Sequence, residues 1–452
     1  MELLWTDKCF FAVLIASLVL SLIGLRKRHI RRAFLRICHR PLAASAGVVL
    51  LFFITVGVLD SIHLNSIEMD ENAQLSTVQN NSILDRLLAP LGDAYEKTYS
   101  APLALNLYGI ETVFVNGNAK QIYPRLNYPP STLKNEAIKH QFIIKQLYHA
   151  VFLSLIIVSF FWFLIVISKW LLAIPFHLKP SKHGLAVLIT LFICFFIIIA
   201  SYWISRELHL LGTGKIGQDI FYYTIKSIRT GLIIGILTTL FMMPLALVLG
   251  ISAGYFGGWI DDIIQYIYTT LSSIPGVLLI TASVLSMQTY IANHPQKFST
   301  LAKSADARLL ALCLILGVTS WTSLCRLLRA EALKLREIDY VLAARALGSS
   351  SFTILRKHLL PNVMHIVLIT LVLDFSFLVL AEAVLSYVGV GVSPMTISWG
   401  NMINGARLEL ARDPIVWWPM FSAFLLMFIL VLASNLFADA LRDAFDPHQS
   451  SV

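Results

Sequence analysis

The chain has 452 residues, of which 57% are hydrophobic and only 13% charged, whereas an ordinary soluble domain carries about 25% charged residues. That excludes a water-soluble enzyme, and because the apolar residues fall in runs too long for core helices, the chain reads as an all-α polytopic membrane protein. The formal charge of +9 does not signal nucleic acid in such a chain, since Lys and Arg there set orientation in the lipid.

Runs of Leu, Ile, Val and Phe predict nine spans, at about Cys9–Leu25, Leu42–Leu59, Leu147–Leu172, Leu185–Trp203, Thr230–Ile251, Ile263–Ser286, Leu309–Leu328, Val363–Tyr387 and Val416–Phe437. The first is short and close to the terminus. No A-x-A-like cleavage site follows it and the next residues are strongly basic, so it reads as a crossing rather than a signal peptide. Arg26, Lys27, Arg28, Arg31, Arg32, Arg36 and Arg40 crowd the first connection, which the positive-inside bias puts in the cytoplasm. Alternation then places residues 60–146 outside. It places the basic connection from Arg329 to Pro361 inside, along with the C-terminus.

Between the second and third spans lies the one long polar segment, a candidate small extracytoplasmic domain. Thr112–Val115 and Ala119–Tyr123 flank Asn116-Gly117, a pair suited to the positive φ of a tight type I′ turn, so they predict a β-hairpin; an ordered loop without a sheet fits the same residues. Further on, Leu211-Gly-Thr-Gly-Lys-Ile216 resembles a phosphate loop only superficially. His209 stands where the first Gly is required and Ile216 where the Ser or Thr is required, so no nucleotide site is expected in this chain. Pro244 and Pro275 interrupt helices in the later spans, either as packing kinks or as points where helices splay.

The connection after the seventh span is rich in good helix formers up to Gly348, which is placed to end a helix in the left-handed conformation. Ser349–Ser351 offers N-caps for a second short helix, Phe352–Leu360, and Pro361 is suited to open the next span. The product is a helix–Gly–helix elbow, although a solvated amphipathic connection accounts for the same residues. Asp374 and Glu382 lie within the following apolar run. An ionisable side chain there is expensive and tends to face the bundle interior or a wet cavity, so both are candidate pathway residues beside Pro275; a structural hydrogen bond or pairing with a partner subunit is the alternative. Trp417, Trp418 and Pro419 fit an interfacial belt. The five cysteines, Cys9, Cys38, Cys194, Cys313 and Cys325, show no C-x-x-C spacing and read as packing residues. No H-E-x-x-H, metal triad or nucleophile–base pair is present, so no metal, resident cofactor or catalytic residue is expected, and a membrane-embedded enzyme or scaffold is the weaker alternative.

Ala343-Ala344-x-x-x-Gly348, followed by Leu360-Pro361, resembles the cytoplasmic coupling motif E-A-A-x3-G-x9-I-x-L-P of ABC importer permeases, with Leu342 in place of the Glu and His358 in place of the Ile. The likeness runs on to other landmarks of the dipeptide and oligopeptide branch: Leu211–Asp219, Gly254-Tyr-Phe-Gly-Gly-Trp-Ile-Asp261, Ala381–Gly391, Ser398-Trp-Gly-Asn401 and Asp439–Pro447. It implies a type I ABC importer permease core at 208–452 in a bacterial inner membrane. Before the core stand two spans with their basic connection (1–59), the polar segment (60–146), and two further spans (147–207) of which at least one is accessory. It implies a homologous second permease, an extracytoplasmic binding protein, and two ATP-binding cassette subunits that bind ATP and Mg and dock on the elbow 329–361. Glu331, Glu337, Asp339, Ala343, Ala344, Arg345, Gly348, His358, Leu360 and Pro361 are the implied docking residues; any ion pair made by the missing Glu is absent here or supplied by a neighbour such as Glu337 or Asp339. The implied cargo is di- or oligopeptide; nickel, haem and antimicrobial peptides are cargoes of related systems.

Overall fold

The computed structural model describes residues 4–445, apart from residue 27 and segments 69–76, 116–117, 172–181, 295 and 297–299. Among the described residues nine helices are long and apolar enough to cross a membrane. The expected turn residues Asn116 and Gly117, and the last residues of the Asp439–Pro447 landmark, lie outside the described residues.

In chain order, α1 (Trp5–Leu25) and α2 (Arg28–His39) lead into α3 (Pro41–Ser61). The polar segment then forms β1 (His63–Glu68), β2 (Thr77–Ser82), the short helices α4 (Ile83–Leu87) and α5 (Ala89–Gly92), β3 (Glu111–Val115) and β4 (Asn118–Ile122). Long helices α6 (Glu136–Leu171), α7 (Lys182–Ser205) and α8 (Ile220–Phe256) follow, then α9 (Gly258–Ser273), α10 (Gly276–Asn293) and α11 (Leu301–Arg336). The chain ends with α12 (Asp339–Ala346), α13 (Ser351–Ile354), α14 (Leu360–Val388), α15 (Trp399–Ala406) and α16 (Trp418–Phe445).

Contacts divide the chain into two compact units. The first is built on Cys38–Thr230 with Ile397–Ala433. Here α7 packs against both α3 and α6, through apolar faces that include an edge-on Phe52–Phe195 pair at 5.2 Å. The expected hairpin forms: β3 and β4 are antiparallel with Val115 opposite Asn118. A second hairpin, β1 with β2, pairs His63 to Ser82; its polar, non-alternating strands carry no apolar period-2 signal in the sequence. Ser82 then caps α4 in a capping box with Asp85, and its hydroxyl also donates to Asp60 at the end of α3. Trp399 and Trp418 are buried, and their indole N–H groups donate to the carbonyls of Thr224 and Thr213 at 3.0 Å, so each bulky ring also has a polar tether.

The second unit contains Gly231–Thr396, α1 and the last part of α16. Its core packs Met242, Ala246 and Ala253 of α8 with Trp321, Leu324, Leu328 and Ala332 of α11 and with Leu359, Val363 and Val367. α1 joins this unit by its N-terminus: the amides of Trp5 and Thr6 and the Thr6 hydroxyl donate to the Asp306 carboxylate of α11. A carboxylate at free helix amides satisfies orphan donors and opposes the helix dipole.

Two features differ from the expected elements. The apolar run Ile263–Ser286 is two helices, because Pro275 has no N–H for the Leu271 carbonyl and biases Ile274 away from helix; Ile274 is extended, at φ −86° and ψ 130°. Pro244, by contrast, stays inside the continuous α8.

Candidate functional site

The elbow is built by three terminations. α11 runs on past the apolar stretch to Arg336, with Lys334 and Arg336 in its last turn, where cations suit the carbonyl end. The single helix expected up to Gly348 is broken here, since Ile338 is extended at φ −79° and ψ 140° and its side chain packs on the core. α12 then starts at Asp339. Gly348 sits at φ +78°, and the amides of Ser349 and Gly348 return to the carbonyls of Ala344 and Arg345, both at 3.1 Å. This is a Schellman closure, which requires a left-handed residue after the helix. Ser350 caps α13 through the Thr353 amide. The second helix does not stop before Pro361 as expected: a π turn at Leu355–Leu359 carries α13 directly into α14, and Pro361, with no N–H to place, falls in the first turn of α14.

Inside the elbow Val341, Ile354 and Leu359 are buried, and Ala344 and Leu360 pack partly against them. Asn362 bridges the arms by donating to the Tyr340 hydroxyl at 2.8 Å and to the His358 carbonyl at 2.7 Å. The His358 ring lies 5.9 Å from that of Tyr340. Ala343, Arg345 and Gly348 face out. The elbow's exposed tip also carries apolar side chains that the sequence did not single out, with Leu347 86% and Phe352 71% exposed. Of the sequence-derived acids, Glu331 pairs with Lys334 at 3.5 Å and Glu337 with Arg336 at 2.9 Å, while Asp339 opens α12.

The base of the elbow is braced. Arg329 of α11 embraces Asp261 of α9, Nη2 to Oδ2 at 2.7 Å with Nε on the other oxygen, a two-point geometry that fixes angle as well as distance. Beside it α8 and α11 come so close at Gly254 that a Cβ there would collide with the Ala332 side chain and the Arg329 carbonyl. The Gly254–Asp261 landmark was legible, but its ion-pair partner 68 residues on was not.

Asp374 and Glu382 both lie on α14, about 12 Å apart along its axis. Glu382 is buried and accepts from the Ser386 hydroxyl at 2.7 Å. Asp374 keeps one carboxylate oxygen out of solvent with no hydrogen-bond partner. Pro275 is not drawn into the elbow; it caps α10.

A second polar centre joins the loop ahead of α8 to the polar segment. His209 is fully buried. Its Nδ1 meets Asp219 Oδ2 at 2.6 Å and its Nε2 lies 3.8 Å from Glu96, while the Tyr128 ring covers it at 4.8 Å. Asp219 also accepts from the Tyr222 amide at the start of α8, and Glu96 from the Tyr128 amide. Burial disfavours the imidazolium, but the two carboxylates overrule it and lift His209 to about 9. Burial likewise opposes the charge on Glu96, yet His209 and the amides of Tyr128 and Asn127 hold it below the ordinary range. Among the described residues no three His, Cys, Asp or Glu side chains gather to hold a metal.

Residues 246–451 match the family described as "Binding-protein-dependent transport system inner membrane component". The glutathione transport system permease protein GsiD of Pectobacterium atrosepticum is 33% identical over 243 residues, 54% of this chain and 74% of that one. The chain belongs to this family. The permease is also 32% identical over 244 residues to the oligopeptide transport system permease protein OppC of Mycobacterium tuberculosis, 54% of this chain and 77% of that one. To the dipeptide transport system permease protein DppC of Bacillus subtilis it is 29% identical over 239 residues, 53% and 68% of the two chains. It is thus a multi-pass permease component of a binding-protein-dependent ABC importer. The family match takes in the elbow and its brace and begins inside α8, so α3, α6 and α7 fall before it.

Proposed function

We propose that this permease imports di- or oligopeptides handed to it by an extracytoplasmic binding protein. It pairs with a homologous second permease, and the two together seat two ATP-binding cassette subunits, which hold ATP and Mg and carry out hydrolysis. The observation that carries this reading is the elbow. It presents Leu347 and Phe352, 86% and 71% exposed, on either side of the Gly348 turn, the first at the end of α12 and the second on α13, which continues into α14 without a gap. Large apolar side chains held out together at the tip of a polar connection suit contact with a protein surface. Cargo follows from the relatives, whose names specify glutathione, oligopeptide and dipeptide.

The two basic connections, around Arg31 and around Arg345, favour a cytoplasmic elbow and C-terminus, with the polar segment on the opposite face. ATP binding draws the ATPases together and moves α12. Across the Gly348 turn that movement reaches α13, which the π turn carries into α14 with its candidate pathway residues Asp374 and Glu382, and the Asp261–Arg329 brace passes it from α11 to α9. Gly348→Val tests the reading: a β-branched residue cannot hold the left-handed conformation without strain. Uptake of a labelled tripeptide should be lost, with the membrane level of the permease unchanged. Wild-type uptake by that variant contradicts the coupling role.

A further inference from the structure

Between α9 and α10 the chain leaves helical geometry at Ile274 and Pro275. Sixteen residues of α9 put this break about 24 Å from the α8–α9 turn, and eighteen of α10 leave about 27 Å beyond it. Asp261, thirteen residues before Ile274, is tied to Arg329 at the end of the apolar stretch of α11, which puts the break about 20 Å from that edge and inside a hydrocarbon layer roughly 30 Å thick. A helix end frees its last carbonyls. The Leu271 carbonyl has lost its partner outright because Pro275 offers no N–H, and the extended Ile274 turns the chain away from Ser272 and Ser273. Ser273 returns its hydroxyl to the Thr270 carbonyl at 2.7 Å, which relieves one group only.

Every residue from Ser272 to Leu278 is exposed, with Ile274, Val277 and Leu278 at 41%, 46% and 63%. Exposure on all sides of an irregular segment differs from the one-sided stripe of a helix facing lipid. Non-helical backbone does not face hydrocarbon, because nothing there satisfies its polar groups; it occurs where protein buries it or where it lines water. The hydroxyl-bearing Thr269, Thr270, Ser272 and Ser273 gather on this exposed stretch.

We infer that the break at Ser272–Gly276 is a wall of the aqueous translocation pathway in mid-membrane, where its carbonyls and hydroxyls accept hydrogen bonds from the amide N–H groups and ammonium of an extended peptide. The peptide part rests on the proposed cargo; the aqueous part does not. A break at mid-depth with its polar backbone turned to the substrate is the arrangement that broken helices give to transporter sites.

Single variants Ser272→Cys, Ser273→Cys and Val277→Cys, in the complete transporter in membrane vesicles, test this against Ile156→Cys on the exposed flank of α6. A charged, membrane-impermeant methanethiosulfonate should modify the break positions at least tenfold faster than position 156, with the modified residue read by peptide mass spectrometry. A saturating tripeptide should slow that modification, and wild-type uptake measured beside it tests the cargo independently. Modification by a lipid-soluble maleimide alone would place the break in hydrocarbon and overturn the inference. Modification that occurs only when the second permease is omitted would make it a subunit interface, overturning it equally.

Discussion

His209 links the polar segment to the start of α8 through charge held away from water. Its ordinary value near 6.5 is raised to about 9 in the fold, so its contribution is complete below about pH 6.5 and is lost as pH rises through 9. Glu96 is shifted the other way, so its contribution is present above its ordinary range near 4.5 and fades on acidification. Melting of the detergent-solubilised permease should therefore fall between pH 7 and pH 9.5. His209→Ala, which strands two buried carboxylates, should cost about 3–5 kcal/mol and flatten that alkaline fall; an unchanged melting profile contradicts the buried imidazolium. Gly348 is the other decisive residue. A Cβ there meets nothing within 4 Å, so the cost of substitution is conformational, and Gly348→Asn, which tolerates the left-handed region, should keep most of the uptake that Gly348→Val loses. Gly348 was legible from its place after a run of helix formers. The His209 centre was not, because its partners stand 113 residues back at Glu96 and 10 ahead at Asp219, and spacing gives no hint of the first.

Among the elements, α1 is fastened by one carboxylate. Asp306 accepts both first amides of the helix, so Asp306→Ala should destabilise α1 by about 1–2 kcal/mol, as loss of a cap does, read as a lower melting temperature of the solubilised permease; Asp306→Asn, still an acceptor, should lose less. The spans themselves were legible because long apolar runs need no partner to be recognised. The break at Pro275 was read as an interruption within one span, since hydropathy does not register the missing N–H or the extended Ile274. The elbow was legible at its Gly and Pro but not at its joints, the break at Ile338 and the π turn at Leu355–Leu359: Ile338 and Leu359 join a core with Ala332, Leu335 and Val363, and that tertiary packing is not contained in sequence periodicity.

For the whole molecule, the family match covers the second half of the chain and starts within α8, while α3, α6 and α7 with the polar segment form most of the first compact unit. Lys226 of α8 pairs with Asp85 at 2.6 Å, so the region before the family match is bonded to the first turns of a core helix. Lys226→Ala should lower the melting temperature, since it leaves Asp85 and Asp60 facing each other, and restoring neutrality with Asp85→Asn should recover part of the loss. In the proposed function the elbow seats the ATPase. A photo-crosslinking residue placed at Leu347 in the assembled transporter tests it most directly: illumination should join the permease to an ATP-binding subunit, with a yield that changes between ATP-bound and nucleotide-free states. A crosslink to lipid or to the second permease alone, unaffected by nucleotide, would contradict it.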